Sequence, residues 1–259
     1  MNGNKDEWRK FRAEYDKMLA DFQREVSAYA VSKGAPPLTN GRLHPVSPHL
    51  NLYLWPKEFE YEELRPMKDK WVRVENFVRM VPGHFDIPAQ LADKPGKLVF
   101  LSMGSFGCAN VELMKNLTQI LAKSEHRFIV SKGPLFESHK LPDNMWGQRF
   151  LPQTAVLPLV DLVITHGGNN TVTETFYYGK PMLILPLFGD QFDNGQRLQE
   201  TGLGLKLNPF RCSEKELLNA VDRLLSDEAL VKRMASIGER IRKSKDKEMV
   251  SDMIEEMLG

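Results

Sequence analysis

A chain of 259 residues with 42% apolar and 27% charged side chains has the composition of a globular protein, long enough for one large α/β domain or two modest ones. Its net charge of +1 excludes a general electrostatic pull toward nucleic acid or an anionic membrane. Two cysteines make no disulfide framework, no apolar run nears the roughly 20 residues of a membrane span, and the start MNGNKDEWRK is too polar for a signal peptide, so the chain reads as soluble and cytoplasmic.

Residues 4–32 set Trp8, Phe11, Tyr15, Leu19, Phe22, Val26 and Tyr29 at helical spacing, the stripe of a long amphipathic helix. The stretch 33–49, with four prolines and two glycines, is a loop. LNLYLWP (50–56) and WVRVENFVRM (71–80) read as strands, and the proline-rich stretch 81–96 as a linker.

From Lys97 strands and helices alternate strictly. KLVFLS, HRFIVS, WGQRFLP, DLVITH, KPMLILPLF and LGLKL are the strands. Between them lie a helix over 111–123, one over TVTETFYYG closed by Gly179, one over DQFDNGQRLQETG, and one over 213–226 opened by Ser213 with Glu216 in a capping box. Continuous apolar strands separated by helices predict an α/β, Rossmann-like parallel sheet with helices on both faces. A charged helical tail follows. The domain reading is 1–85 as the remnant of a preceding domain with its linker, 86–228 as the sheet domain, and 229–259 as the tail.

In such a sheet, ligands sit beyond the carboxyl ends of the strands. LSMGSFG leaves backbone amides around Gly104 and Ser105 uncovered, as a phosphate needs and as any tight turn also would. It is neither the dinucleotide fingerprint nor a P-loop. THGGNNTVTE places His166, Gly167 and Gly168 before a helix capped by Asn170 or Thr171, with Thr171 and Glu174 at capping-box spacing. The cap explains those two residues but neither the histidine nor the paired glycines. Asp190 and Gln191 offer acceptors and amide donors for sugar hydroxyls, or an acidic helix cap. Phe150, in RFLPQ, has the core as its default place.

The order of these features, an aromatic-x-Pro-Gln, then THGGNNTVTE, then GKPMLILPLFGDQFDN, strongly resembles the signature of the UDP-glycosyltransferases, a family of GT-B fold. The match runs without a gap from Phe150 to Asn194, and a looser resemblance, closest to bacterial-like and arthropod members, covers nearly the whole chain. It implies that Phe150 stacks on uracil and that Gln153 lies beside the ribose. Ser105, His166, Gly168, Asn170 and Thr171 would surround the diphosphate, Glu174 would bind ribose hydroxyls, and Asp190 with Gln191 would hold the sugar. Phe150 stands where Trp is frequent, and Asn169 where plant members carry Trp, so donor preference does not transfer. The implied reaction is an inverting transfer from a UDP-sugar to a hydroxyl of a small lipophilic acceptor, with no metal and no cofactor. The family's base is a histidine near the start of an N-terminal acceptor domain. None of His44, His49, His84, His126 and His139 stands in such a context, so the base is expected in a missing N-terminal half. The alternative is a non-catalytic UDP-sugar-binding subunit that needs a partner chain.

Overall fold

In a computed structural model that describes residues 4–38, 46–64, 66–80 and 83–259, the chain divides into two units, Met1–Asn51 with Asp69–Trp71, and Leu52–Lys68 with Val72–Gly259. Part of the expected loop (39–45, including His44) and the first two residues of the expected linker (81–82) lie outside the described residues.

In the first unit, helix α1 (Lys5–Ser32) begins at Asn4, whose side chain accepts from the Asp6 amide at 3.0 Å. Its stripe is ordered within the helix, with the Phe11 and Tyr15 rings stacked at 6.1 Å. No residue of α1 is buried.

Short strands β1 (Asn51–Tyr53) and β2 (Trp71–Arg73) form a two-stranded sheet. The strands expected over 50–56 and 71–80 therefore shrink to three residues each. Beyond Arg73 the Val74 amide still bonds the Tyr53 carbonyl of β1 at 2.9 Å, but the alternating burial of Val74, Asn76 and Val78 continues by packing and without further strand pairing. The Glu75 amide donates to Asp246 at 2.7 Å, and the Asn76 carboxamide to the Ser244 carbonyl at 2.7 Å.

The remaining elements are α2 (Ala89–Ala92), β3 (Leu98–Ser102), α3 (Gly104–Ala109), α4 (Val111–Leu121), β4 (Arg127–Ser131), β5 (Met145–Gln148), α5 (Gln153–Val156) and β6 (Leu162–Thr165). They continue with α6 (Asn169–Tyr177), β7 (Met182–Ile184), α7 (Gln191–Glu200), β8 (Gly204–Lys206), α8 (Glu214–Ser226), α9 (Glu228–Lys243) and α10 (Asp246–Leu258). Strands β3 to β8 form one parallel six-stranded sheet in the order β5-β4-β3-β6-β7-β8. Leu98 pairs with Arg127 on one side of β3, and Val99 with Leu162 on the other. Strands β3, β6 and β7 are buried along their whole lengths, which is why their sequences run apolar without alternation.

The helices cover this sheet: α8 lies against α4 and strands β6 to β8, and α6 against α9. Gly179 ends α6 at φ +64°, and a Cβ there would lie 2.7 Å from the Met234 carbonyl of α9, so glycine serves both the turn and the helix contact. The capping box of Ser213 and Glu216 forms as expected. The tail is two helices whose junction ties back to the chain before the sheet. Arg240 bonds Glu58 at 2.9 Å and Glu75 at 3.1 Å, and both carboxylates are largely buried. Nearby in sequence to Glu58, Trp55 and Phe59 stack edge to face at 5.5 Å, and Phe59 meets Phe176 of α6 in the same way at 4.9 Å. Among the described residues no helix is long and apolar enough to cross a membrane.

Candidate functional site

Strands β3 and β6 are neighbours at the centre of the sheet, while the chain leaves β3 for β4 on one side and β6 for β7 on the other. Their carboxyl ends therefore flank the point where the winding reverses and a crevice opens. The end of β3 passes Met103 straight into α3, so Ser105 stands in a short helix of six residues and not in the open turn expected of MGSFG.

Both loops converge on His166. A Cβ at Gly104, whose φ is +68°, would lie 2.6 Å from the His166 ring, and a Cβ at Gly168 would lie 2.5 Å from its Nε2. The imidazole fits only because these two positions lack side chains. Its Nδ1 lies 3.3 Å from Thr165 Oγ1. Burial holds the imidazole below its ordinary value, against a backbone hydrogen bond at Ser102 and the Asp190 carboxylate, which pull it up. The ring is thus a neutral hydrogen-bonding group at pH 7.

Helix α6 begins at Asn169 with Gly168 as its N-cap, and no side chain caps it. This corrects the expected cap at Asn170 or Thr171 and the capping box from Thr171 to Glu174. The paired glycines let the helix start earlier, so Thr171 and Glu174 stand inside it, one turn apart. The first helical bond runs from the Val172 amide to the Gly168 carbonyl at 3.0 Å, leaving the amides of Asn169, Asn170 and Thr171 ahead of the ladder. Thr171 and Glu174 are joined instead by Gln153 from α5, whose Nε2 donates to Thr171 Oγ1 at 3.2 Å and to the Glu174 carboxylate. Burial raises the Glu174 pKa, opposed by the Gln153 bond and by the Arg79 guanidinium.

Asp190 occupies the N-cap of α7, yet its side chain makes no capping bond, so the acidic-cap reading does not hold and the carboxylate stays exposed. Gln191 is buried, and its Oε1 accepts from the amides of Leu187 at 2.9 Å and Phe188 at 3.2 Å, which shapes the loop that carries Asp190. Phe150 is 61% exposed just past β5, with the Arg149 guanidinium 5.3 Å from its ring centre. It is an exposed aromatic with Arg149 over one face, and not a core residue.

Asn194 was not singled out by sequence. It is buried, and its Nδ2 donates to the Gly167 carbonyl at 2.8 Å and to Asn169 Oδ1 at 2.9 Å. The signal was available: Gln191, Asn194, Gly195 and Leu198 form the buried stripe of α7, and polar residues in such a stripe need partners.

Two cavities line up along α6. One, of about 820 Å³, is bordered by Gln153, Glu174 and Arg79. The other, of about 560 Å³, is bordered by Asp190, Asp193 and Tyr61. They share Leu54, Phe77, Asn170 and Thr173. Of the expected site residues, Gln153, Asn170, Glu174 and Asp190 border this groove. Ser105, Phe150, His166, Gly168, Thr171 and Gln191 do not. The remaining histidines in the sheet unit are engaged elsewhere or enclosed: His84 with Asp86 at 2.7 Å, His126 with the Lys97 amide at 3.2 Å, and His139 buried. Such a groove offers carboxylate acceptors for hydroxyls at both ends, Glu174 and Asp190, with Asn170 of the first turn of α6 between them.

Residues 90–246 match the family model described as "UDP-glucoronosyl and UDP-glucosyl transferase". The chain is 25% identical over 245 residues to the NDP-glycosyltransferase YjiC of Bacillus subtilis, covering 93% of this chain and 62% of that protein. It is 22% identical over 193 residues to an uncharacterized UDP-glucosyltransferase, YojK, of the same organism, covering 73% of this chain and 47% of that protein. The solved glycotransferase of kitacinnamycin superposes with a TM-score of 0.74 at 22% identity, covering 96% of this chain and 66% of that one. The chain thus spans about half to two thirds of the length of these proteins.

Proposed function

Since this chain belongs to the UDP-glucuronosyl and UDP-glucosyl transferase family, with the GT-B type of Rossmann-like sheet, we propose that it forms the donor-binding side of an inverting glycosyltransferase that moves a hexose from a UDP-sugar to a hydroxyl of a small lipophilic acceptor. The observation that carries the reading is the uncapped start of α6, where the amides after Gly168 have no side-chain partner and the neutral His166 stands beside them. A diphosphate there gains the positive end of the helix, worth about 0.3–1 kcal/mol per exposed charge, and charge-assisted hydrogen bonds besides.

In this reading the uracil lies on the open face of Phe150, and the ribose meets Gln153 and Glu174. The diphosphate lies over α6 near Ser105, Gly168, Asn170 and Thr171, and the hexose lies toward Asp190. Gln191 supports the sugar by holding the Asp190 loop. As the acceptor oxygen forms its bond to the anomeric carbon and UDP departs from the opposite face, negative charge grows on the diphosphate, and the preset donors at α6 and His166 stabilise it. No metal is needed for that step. The base that takes the acceptor proton is assigned to no residue of this chain.

The test is calorimetry of UDP binding to the purified chain with a chelator present. Binding that survives the chelator, and that His166→Ala weakens more for UDP than for uridine, supports the reading. Absence of UDP binding, or binding only with added magnesium, overturns it. The competing reading, a UDP-sugar-binding subunit completed by a partner chain, predicts the same binding, with sugar transfer restored by a second polypeptide and not by a longer form of this chain.

A further inference from the structure

Resting on that donor-site reading, we infer that Phe106 and Phe188 form an aromatic seat on which this chain receives the ring system of an uncharged, planar acceptor. The two rings meet edge to face, with centres 6.1 Å apart and planes at 81°. They are 80% and 51% exposed. Adjoining rings left in water, unlike a lone one, mark a contact surface.

Their exposure is built into the fold. Phe106 lies in α3, directly after β3, and Phe188 lies in the loop directly after β7, while β6 runs between those two strands. The two connections therefore meet across the carboxyl end of β6, where His166 stands. They touch at their bases, where a Cβ on Gly107 would lie 2.6 Å from Leu187 Cδ1. Each backbone is anchored from within. The Phe188 amide donates to the buried Gln191 side chain at 3.2 Å, and the Cys108 thiol of α3 donates to the Ser131 carbonyl at 3.0 Å. Both rings are thus presented by a fixed frame, which lowers the ordering cost of a ligand that packs on them.

The chemistry of the occupant follows from the surroundings. Neither segment 103–110 nor segment 181–189 contains a charged residue, so neither offers a partner for an ionised group. An edge-to-face pair leaves ring faces and edges open, the surfaces against which a further flat ring packs. Position along the chain supplies the role. Phe106 follows Ser105, which the donor-site reading sets at the diphosphate, and Phe188 precedes by two residues Asp190, which it sets at the hexose. A ring seated on the pair lies at the mouth of the donor site, with its hydroxyl turned toward the sugar. Neither phenylalanine borders the groove along α6, so their part is separate from holding the donor there.

The experiment is a fluorescence titration of the 259-residue chain, saturated with UDP, with the planar phenol umbelliferone. UDP fills the nucleotide site, so the phenol cannot enter it. Phe106→Ala and Phe188→Ala should each weaken phenol binding by about three- to tenfold. UDP affinity and melting temperature should stay as in the wild type, since both rings are exposed and alanine keeps the Phe188 amide that bonds Gln191. Phe106→Trp, which restores a flat ring, should recover binding. Absence of phenol binding by the UDP-loaded chain overturns the inference, as does binding that neither alanine variant weakens. A concentration-dependent dimer abolished by Phe106→Ala would assign the patch to a second copy of the chain and overturn it too. If UDP itself does not bind, the donor-site reading falls and the inference falls with it, whereas UDP binding without phenol binding removes the inference alone.

Discussion

The buried carboxamide of Asn194 lies 2.8 Å from the carbonyl of Gly167, and this bond joins the first turn of α7 to the loop that carries His166. The same amide reaches Asn169 Oδ1 at 2.9 Å, so one side chain holds both the glycine turn and the start of α6. Asn194→Ala leaves the buried Gly167 carbonyl without its donor and should cost about 1–3 kcal/mol in urea unfolding. On the proposed donor site UDP affinity should fall with it, because the turn before α6 loses its support. Asn194→Asp should be at least as damaging, since it sets an acceptor against two acceptors. A variant as stable as the wild type would disprove this role.

Gly104 and Gly168 crowd the same imidazole but differ in backbone, with φ +68° at Gly104 and −66° at Gly168. Gly168→Ala adds only the clash with His166 Nε2, so the ring must turn away. The expected outcome is a loss of UDP affinity of about tenfold with a stability change under about 1 kcal/mol. Gly104→Ala adds left-handed strain to its clash, about 1–2 kcal/mol, and should lower the melting temperature as well. Comparing calorimetric affinity with thermal unfolding for both variants checks the distinction.

Glu174 should make UDP binding sensitive to mild acid. Burial raises its pKa above 4.5, so on acidification it takes up a proton earlier than an exposed glutamate does. In the proposed donor pose the ionised carboxylate accepts ribose hydroxyls, and the protonated form would surrender that role. Affinity should therefore decline as pH falls through the raised value, and Glu174→Gln should bind more weakly at neutral pH with a flatter acid limb. An unchanged pH profile in Glu174→Gln would remove Glu174 from the ribose.

His139 provides a separate acid dependence, in stability. It is buried, neither ring nitrogen has a hydrogen-bond partner among the described residues, and burial, then Lys132 and Lys115, hold its pKa below 6.5. The unfolded chain takes up this proton near pH 6.5 while the folded chain resists until lower pH. In that window the unfolded state binds more protons, so folding stability falls as pH falls, by up to about 1.4 kcal/mol per pH unit. His139→Phe should flatten this limb in urea titrations at several pH values, leaving the contribution of His166, whose pKa is depressed as well. An equally steep limb in the variant rules His139 out as its source.

The central sheet was legible because β3, β6 and β7 are buried on both faces and so write their burial as unbroken apolar runs. The resemblance around His166 and Asp190 was legible because it lies in contiguous residues. What failed depended on partners distant in the chain. The alternation of Val74, Asn76 and Val78 imitated a strand, although Ser244 and Asp246, far along the chain, supply the polar partners of that stretch. Thr171 and Glu174 imitated a capping box, although Gln153, eighteen residues before Thr171, is what joins them. Local spacing carries no record of such pairings, and Asn194 shows that the one available clue was a polar residue on an apolar stripe.

The clamp of Arg240 on Glu58 joins residues 182 positions apart. During synthesis on the ribosome, strands β3 to β8 emerge and can pair while α9 is still unmade. The aromatic wall of Trp55 and Phe59 can then already meet Phe176 of α6, whereas Glu58 waits for Arg240, and closing so long a loop is slow and entropically costly. The cavity beside the start of α7, by contrast, needs no such late clamp, because Arg197 of α7 already covers Tyr61 once the sheet has formed.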